Sequence, residues 1–365
     1  MSDRRTASDT GAARLAPVVL GPNRPAERPY RGGEGILRFR HLPASTDPGA
    51  ERMPEDFVAS ATEVFAGGGV GLTTLDDGTL LRDAIASDPV GYLGAEHVRA
   101  FGADPRLLVK LLDTRERLFV HYHPTSPFAH DVLSREYGKT EAWIVVSCDG
   151  PGHAYLGFVR DVGEQELLDW FGRQDVPAML AAMHRVELAP GDTLHVPAGM
   201  PHSIGPGVTL VELQQPVDLS ILMEYRGHPG LDRDSALLGL DPAVALSGLD
   251  RSAVSSARID ELSTSRPERA LPAAASGASP DVLSTPLFPV EADAFFCADR
   301  VVVARHTFDP GFAVLVVLDG EGELEWSDGA VMLTAGGTVL VPYGAGETTV
   351  RGPVTLLRCR PPVAS

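Results

Sequence analysis

The chain has 365 residues, of which 44% are hydrophobic and 22% are charged, an ordinary composition for a soluble globular protein. Its formal net charge of −18 would repel phosphate backbones and anionic lipid, so we expect neither nucleic acid nor a membrane surface as a partner. The 38 glycines and 30 prolines indicate many turns and favour short strands over long helices.

The cysteines and the N-terminus bear on the cellular compartment. Cys148, Cys297 and Cys359 are far apart and odd in number, which is typical of free thiols in a reducing cytoplasm. The sequence has no apolar run long enough for a membrane-spanning helix and no secretory signal at its start. We therefore expect a cytoplasmic protein.

The predicted elements alternate between short strands and short helices. A strand is predicted over 31–41, and residues 80–101 mix helical spacing with loops. Further strands are predicted over 107–112, 118–123, 141–147, 154–159, 185–188, 193–196, 209–214 and 220–225, with helices over 165–171 and 177–184.

Composition divides the chain into four parts. We expect a flexible tail over 1–20, a β-rich domain with helical insertions over 21–246, a linker or crossover over 247–284, and a second barrel over 285–365. The linker is predicted because the segment is rich in Ser, Ala, Pro and Arg.

The second barrel is predicted from an internal repeat. Gly191-Asp-Thr-Leu-His-Val-Pro-Ala-Gly is echoed by Gly336-Gly-Thr-Val-Leu-Val-Pro-Tyr-Gly, and the segment from Trp143 is echoed by the segment from Ala313. The second copy has Glu347 where the first has His202, and no His-x-His precedes its central strand. We therefore expect the second barrel to be structural.

The ligand-type residues of the first domain predict a metal site. His121 and His123 are two apart and share one face of a strand. With Glu141 and His202 they offer three imidazoles and a carboxylate, a set that suits a borderline divalent metal with an open coordination position. His195 alternates with Thr193 and could face either the site or the outside.

A set of motifs is spread over most of the chain. They are Pro54-Glu-Asp-Phe-Val-Ala-Ser, Asp76-Asp-Gly-Thr-Leu-Leu, Leu108-Val-Lys-Leu-Leu-Asp, His123-Pro, Tyr137-Gly-Lys-Thr-Glu-Ala-Trp, Gly191-Asp, Val196-Pro-Ala-Gly and Glu212-Leu-Gln-Gln. Together they resemble the type I mannose-6-phosphate isomerases of the cupin superfamily. Gly-Lys-Thr-Glu at that distance from His-Pro, followed by Pro-x-Gly-x-x-His, is a specific combination.

The resemblance implies a mainly β fold of two tandem cupin (jelly-roll) barrels with a few short helices. It implies one divalent metal, zinc first, with manganese, iron or nickel as alternatives, and the interconversion of mannose 6-phosphate and fructose 6-phosphate. It places the metal ligands at His121, His123, Glu141 and His202, and the catalytic residues at Lys110, Lys139 and Glu212. The partner is then a small sugar or sugar phosphate, and we expect a monomer or a homodimer.

Three positions depart from the family pattern. His121 stands in place of a Gln, Phe119 in place of a small hydroxyl residue, and Leu222 in place of an active-site Arg; the nearby Arg226 is four residues further on. Loss of a guanidinium removes a bidentate partner for an oxyanion or phosphate, so the substrate is expected to be altered. Two alternatives stay open: another metal-cupin enzyme, such as an epimerase or an iron-dependent oxygenase, and a non-catalytic sugar-binding protein.

Overall fold

The structure is a computed structural model that describes residues 15–264 and 283–363. Its strands are β1 (Val18–Leu20), β2 (Glu55–Val58), β3 (Leu108–Thr114), β4 (His121–Tyr122), β5 (Glu141–Cys148), β6 (Gly152–Phe158), β7 (Met183–Leu188), β8 (Thr193–Val196), β9 (His202–Ile204), β10 (Val208–Gln214), β11 (Ile221–Leu222), β12 (Ser263–Thr264), β13 (Leu283–Pro286), β14 (Cys297–Phe308), β15 (Ala313–Trp326), β16 (Gly329–Thr334), β17 (Thr338–Val341) and β18 (Thr348–Arg360).

The helices are short. They are α1 (Glu34–Phe39), α2 (Leu81–Ser87), α3 (Pro89–Leu93), α4 (Ala95–Phe101), α5 (Ser126–Leu133), α6 (Glu164–Arg173), α7 (Val176–Ala181), α8 (Arg233–Ala236), α9 (Pro242–Leu246) and α10 (Ser256–Leu262). Among the described residues, none is long and apolar enough to cross a bilayer.

Two antiparallel sheets form the first barrel. The larger has the strand order β12-β8-β5-β10-β3-β2, and the smaller has the order β11-β4-β9-β6-β7. Both sheets contribute to one apolar core, which contains Leu112, Trp143, Val145, Leu194, Val196 and Leu210 from the larger sheet and Ala154, Leu156, Ile204 and Leu222 from the smaller.

The second barrel repeats the strand pairing of the first. β15 pairs with β17 and β18, just as β5 pairs with β8 and β10. All of its strands lie in one seven-stranded antiparallel sheet, which also includes β1. The prediction of a mainly β fold built on a duplicated barrel is therefore confirmed.

The two barrels pack against each other through the outer face of the larger sheet. Side chains along β5 alternate, so Trp143 and Val145 enter the first barrel's core while Ala142 and Ile144 face the second barrel. The shared apolar layer includes Val109, Leu111, Val211 and Leu213 on one side and Ala298, Val314, Val316, Leu340, Leu357 and Cys359 on the other. Burial of each large apolar side chain contributes about 1.5–3 kcal/mol, which holds the barrels together.

Three predicted elements differ from the structure. Residues 31–41 do not form a strand, because Gly33 adopts a positive φ of 106° and the chain then turns into α1. The strands predicted over 118–123 and 220–225 are shorter in the structure, where β4 and β11 have two residues each.

The predicted tail and linker contain regular structure. Val18–Leu20, placed in the tail by the sequence, form β1 and pair with β17. In the predicted linker, α10 and β12 are ordered elements, and β12 pairs with β8 of the first barrel. Residues 1–14 and 265–282 lie outside the described residues, and the domain limits stay predictions.

Candidate metal centre

Three imidazoles meet inside the first barrel. His121 on β4 lies opposite His202 on β9, and His123 follows one residue after β4. One ring nitrogen from each histidine lies within 4.8 Å of the other two, and all three side chains are buried. The structure therefore brings together the three histidines that the sequence predicts as metal ligands.

Hydrogen bonds define which ring nitrogen of each histidine is free. Nδ1 of His121 and of His202 lies 2.9 Å from the carbonyl oxygen two residues earlier in the chain, and Nδ1 of His123 lies 2.8 Å from the Leu219 carbonyl. A carbonyl only accepts, so each Nδ1 carries the proton and each Nε2 keeps its lone pair. Nε2 of His123 and of His202 has no hydrogen-bond partner among the described residues, which fits a metal ligand.

The electrostatic surroundings keep at least two of these rings neutral. Burial and the neighbouring imidazoles lower the pKa of His121 well below its ordinary value. Burial and the charge of Lys139 lower the pKa of His123 to about 3. Both rings are therefore unprotonated at Nε2 near neutral pH, as metal binding requires.

Glu141 completes the predicted ligand set. One carboxylate oxygen of Glu141 lies 2.9 Å from Nε2 of His123, and the other lies 3.4 Å from Nε2 of His202. Trp143 Nε1 donates a hydrogen bond to the carboxylate at 3.0 Å. Burial alone would raise the pKa of Glu141, but the charge of Lys139, 2.8 Å away, leads the effects that hold the pKa well below its ordinary value. The four residues thus form a buried group of three imidazoles and one carboxylate.

A close backbone approach positions Lys139 beside this group. The Lys139 N–H donates to the carbonyl of Pro124 at 3.0 Å, and Pro124 directly follows His123. A Cβ atom on Gly138 would lie 2.4 Å from that same carbonyl oxygen, so only glycine fits there. This contact explains why glycine precedes the lysine in Gly-Lys-Thr-Glu.

Lys110 and Glu212 are direct cross-strand neighbours on β3 and β10. Lys110 Nζ lies 3.3 Å from one oxygen of Glu212, and Lys139 Nζ lies 3.6 Å from the other. Burial raises the pKa of Glu212 to about 7. Burial would lower the pKa of Lys110, but the charges of Glu212, Glu55 and Asp218 outweigh it and hold the pKa above its ordinary value, so Lys110 remains a cation.

Four residues near this pair were not predicted as site residues. Lys110 Nζ lies 3.8 Å from Glu55 and 3.7 Å from Asp218. Arg28 Nη2 lies 3.1 Å from Glu55 and 3.2 Å from Asp218, and the Tyr30 hydroxyl donates to Glu55 at 2.6 Å. Glu55 lies in a motif that carries the family resemblance, and Asp218 comes three residues after Gln-Gln. Nothing in the sequence pointed to Arg28 or Tyr30.

A narrow cavity of about 60 Å³ opens beside the histidines. Its charged lining includes Arg28, Glu55, Lys110, Lys139, Glu212 and Asp218. A larger cavity of about 660 Å³ is lined by Trp326 and Tyr343 of the second barrel. It contains none of the predicted ligands, so the chemistry of the lining, and not the volume, identifies the site.

The three positions that depart from the family pattern all lie at this site or next to it. The Phe119 ring stands edge-on to Tyr30 at 6.0 Å and to His121 at 5.2 Å between ring centroids, and it lines the cavity. Leu222 pairs with His121 and is buried in the apolar core. Arg226 is exposed and its guanidinium donates to the carbonyl of Arg173 at 3.4 Å.

Two other sequence candidates lie apart from the histidines. His195 pairs across the sheet with Ala142 and its Nδ1 lies 3.2 Å from Glu291, on the side of the second barrel. Glu347 is exposed. Within the part of the chain that the structure describes, the three-histidine group is the only one of its kind.

Comparisons with known proteins agree with the resemblance seen in the motifs. No family model matches the chain. The chain is 28% identical over 250 residues to the mannose-6-phosphate isomerase ManA of Bacillus subtilis, a match that covers 67% of this chain and 72% of that protein.

Solved structures share the fold. A putative mannosephosphate isomerase from Archaeoglobus fulgidus superposes with a TM-score of 0.69 at 19% identity, over 97% of this chain and 100% of the other. A zinc-bound mannose 6-phosphate isomerase superposes with a TM-score of 0.68 at 15% identity, over 96% of this chain and 100% of the other. By sequence and by fold, the chain is similar to mannose-6-phosphate isomerases, as its motifs predict.

Proposed function

We propose that the protein is a metal-dependent aldose–ketose isomerase, with the interconversion of mannose 6-phosphate and fructose 6-phosphate as the first reaction to test. One observation carries the proposal: three imidazoles and Glu141 converge beside the buried pair of Lys110 and Glu212. Its sequence and fold relatives carry the name of this activity, which supports the choice of reaction.

The ligand set fits a divalent metal. The Nε2 lone pairs of His123 and His202 are buried and unpartnered among the described residues, and three imidazoles with one carboxylate suit zinc, as well as manganese, iron or nickel. A zinc-bound isomerase shares the fold, so we propose zinc first. When bound, such an ion acts as a Lewis acid on a substrate carbonyl, a contribution of several kcal/mol.

The protein residues would move the protons. Isomerisation transfers one proton between two adjacent carbons and one between their oxygens. We assign the carbon proton to the Glu212 carboxylate, which takes it from the carbon beside the carbonyl and returns it to the neighbouring carbon. Lys110 and Lys139 flank Glu212 at 3.3 and 3.6 Å. One of these ammonium groups gives a proton to the substrate's carbonyl oxygen as negative charge develops there, and it regains a proton from the neighbouring hydroxyl oxygen.

A metal-reconstitution assay tests this function. The purified protein is stripped with a chelator, reloaded separately with zinc, manganese and iron, and assayed on mannose 6-phosphate, fructose 6-phosphate, mannose and fructose. We expect no turnover without metal and turnover after reloading, highest with zinc. Fully loaded protein that converts none of the four sugars would contradict the proposal.

A second candidate follows from the third imidazole. His121 makes the shell richer in nitrogen than a site with an amide oxygen, and such a shell also binds iron in other metal-dependent enzymes. Iron in protein purified without added metal, together with oxygen consumption in the presence of a sugar, would favour an oxygenase over an isomerase.

A further inference from the structure

We propose that Arg28 supplies the guanidinium that binds substrate hydroxyl groups in this cavity, a role that rests on the proposed isomerase function. Leu222 leaves the neighbouring strand β11 without an arginine, and Arg226 points elsewhere. Arg28 comes from a different part of the chain, the segment before α1, yet it lines the same cavity as His121 and Glu212.

The backbone holds Arg28 firmly at this place. Its N–H donates to the Arg52 carbonyl at 3.1 Å, and the Gly32 N–H donates to the Glu51 carbonyl at 2.8 Å. The Arg52 guanidinium also donates to the Arg28 carbonyl at 3.4 Å. The segment therefore runs beside the chain that leads into β2, which pairs with the strand that carries Lys110.

The Arg28 guanidinium has N–H groups that its two acidic neighbours do not occupy. Its recorded hydrogen bonds and ion pairs, to Glu55 and Asp218, all use Nη2, and Nε has no hydrogen-bond partner among the described residues. A guanidinium carries five N–H donors in a fixed fork, and a buried donor without a partner is costly. A ligand oxygen in the cavity would satisfy the remaining donors.

The charges around Arg28 indicate what kind of oxygen it binds. Three basic and four acidic side chains line the cavity, and the guanidinium is already neutralised by Glu55 and Asp218. Because its charge is already neutralised, Arg28 offers a phosphate dianion little net attraction, and the two carboxylates beside it would repel such a group. A hydroxyl both donates and accepts, so it matches the mixed donors and acceptors there. The structure thus assigns hydroxyl-bearing carbons of the sugar to the Arg28 side of the cavity and any phosphate to a place away from Arg28.

Three variants test the role, with Arg24 as the matched control. Arg24 lies in the same segment, its guanidinium donates to the Met53 carbonyl at 2.6 and 3.1 Å, and it is not among the residues that line the cavity. We expect Arg28→Ala to lower kcat/KM by about 10–100-fold, the loss of one charged hydrogen bond. Arg28→Lys should be intermediate, because it keeps the charge but loses the fork, and Arg24→Ala should match the wild type.

Readouts besides turnover separate binding from structure. Zinc content and thermal midpoint show whether each variant folds around an intact metal site. Added methylguanidinium should partly restore Arg28→Ala and leave Arg24→Ala unchanged. The loss in Arg28→Ala should be equal for mannose and mannose 6-phosphate. The assignment is overturned if kcat/KM falls equally in Arg28→Ala and Arg24→Ala and methylguanidinium restores neither. It is also overturned if kcat/KM falls only for mannose 6-phosphate.

Binding distinguishes a failure of this inference from a failure of the proposed function. If the wild type converts no sugar, the isomerase proposal fails, and calorimetric titration of the zinc-loaded protein with fructose decides the role of Arg28. Wild-type binding that Arg28→Ala weakens about tenfold or more, and that Arg24→Ala preserves, supports it. Equal binding by wild type and Arg28→Ala, or no binding by the wild type, overturns it.

Discussion

Arg117 and Glu224 form a bidentate ion pair beside the strand that presents His121. The two terminal nitrogens of Arg117 lie 2.8 and 2.6 Å from the two carboxylate oxygens, a geometry that favours strong, oriented pairing. The Val120 N–H donates to the same carboxylate at 2.9 Å. Because Val120 directly precedes His121, this carboxylate fixes the backbone that holds one of the three imidazoles.

The Glu224 pair predicts a pH-dependent stability. Burial alone would raise the pKa of Glu224, but hydrogen bonds from His228, Arg117 and Val120 outweigh it and lower the pKa to about 2 from 4.5. Because the pKa is lower in the folded state, the carboxylate stabilises the fold above pH 4.5, and that contribution is lost as pH falls towards 2. Glu224→Gln should therefore lower the free energy of unfolding by on the order of 3 kcal/mol near neutral pH.

Urea denaturation across this pH range measures the effect. The difference between wild type and Glu224→Gln should shrink steadily below pH 4.5. Glu166→Gln is the matched control, because Glu166 forms a similar two-point pair with Arg160, at 2.6 and 2.9 Å, on the exposed surface, where such pairs contribute little. A Glu224→Gln effect that is small, or the same at every pH, would contradict this account.

Removing a predicted ligand should release the metal. His202→Ala deletes an imidazole whose Nε2 has no other partner among the described residues, so zinc should be lost on dialysis, as measured by metal analysis. His121→Gln substitutes an amide oxygen and should keep zinc. His195→Ala, which removes a buried histidine on the other side of the sheet, is the control and should keep zinc as well. Retention by His202→Ala would show that the ligand set is wrong.

Replacing the proposed base should lower turnover and leave the metal in place. Glu212→Gln keeps the shape of a side chain that lies 3.3 Å from Lys110 but cannot accept a proton from carbon. We expect kcat to fall by about 10²–10⁴-fold with unchanged zinc content. Glu347→Gln, an exposed acid of the second barrel, should behave as the wild type. Glu212→Gln with wild-type kcat would exclude Glu212 as the base.

Phe119 should limit the size of the substrate. Its ring contacts Tyr30, His121 and His228, with centroids 6.0, 5.2 and 5.4 Å away, and forms part of a wall of the small cavity. Phe119→Ala should cost about 3 kcal/mol in unfolding free energy and raise the ratio of kcat/KM for a hexose over a smaller aldose. Phe119→Leu, which keeps most of the wall, should shift the ratio less. An unchanged ratio in Phe119→Ala would mean that another residue sets the size.

The β-rich part of the site was predictable because period two is a strong local signal. His121 and His123 reach the same site, while Tyr122 between them packs into a different apolar cluster, as strand alternation requires. Residues 31–41 misled the same reasoning, since a short mixed segment with three glycines has no clear period. In the structure, Gly33 adopts a positive φ, and helix α1 begins at the next residue.

The unpredicted part of the site depends on contacts between remote loops. Arg28 and Asp218 are 190 residues apart in the chain, and neither lies in a strand with a readable face. Their meeting is set by how the segment before α1 crosses β2, which local periodicity does not encode. The sequence marked Glu55 only as part of a motif. The structure gives the reason for a negative charge there, because Arg28 and Lys110 lie beside it.

The segment from Val18 to Tyr30 contributes to both barrels. Val18–Leu20 form an edge strand of the C-terminal sheet, and Arg28 and Tyr30, eight and ten residues after Leu20, line the cavity of the N-terminal barrel. A protein truncated after residue 264 would therefore not be an independent domain. It would keep every candidate metal ligand but lose β17, with which β1 pairs. We therefore expect truncation to weaken substrate binding more than metal binding.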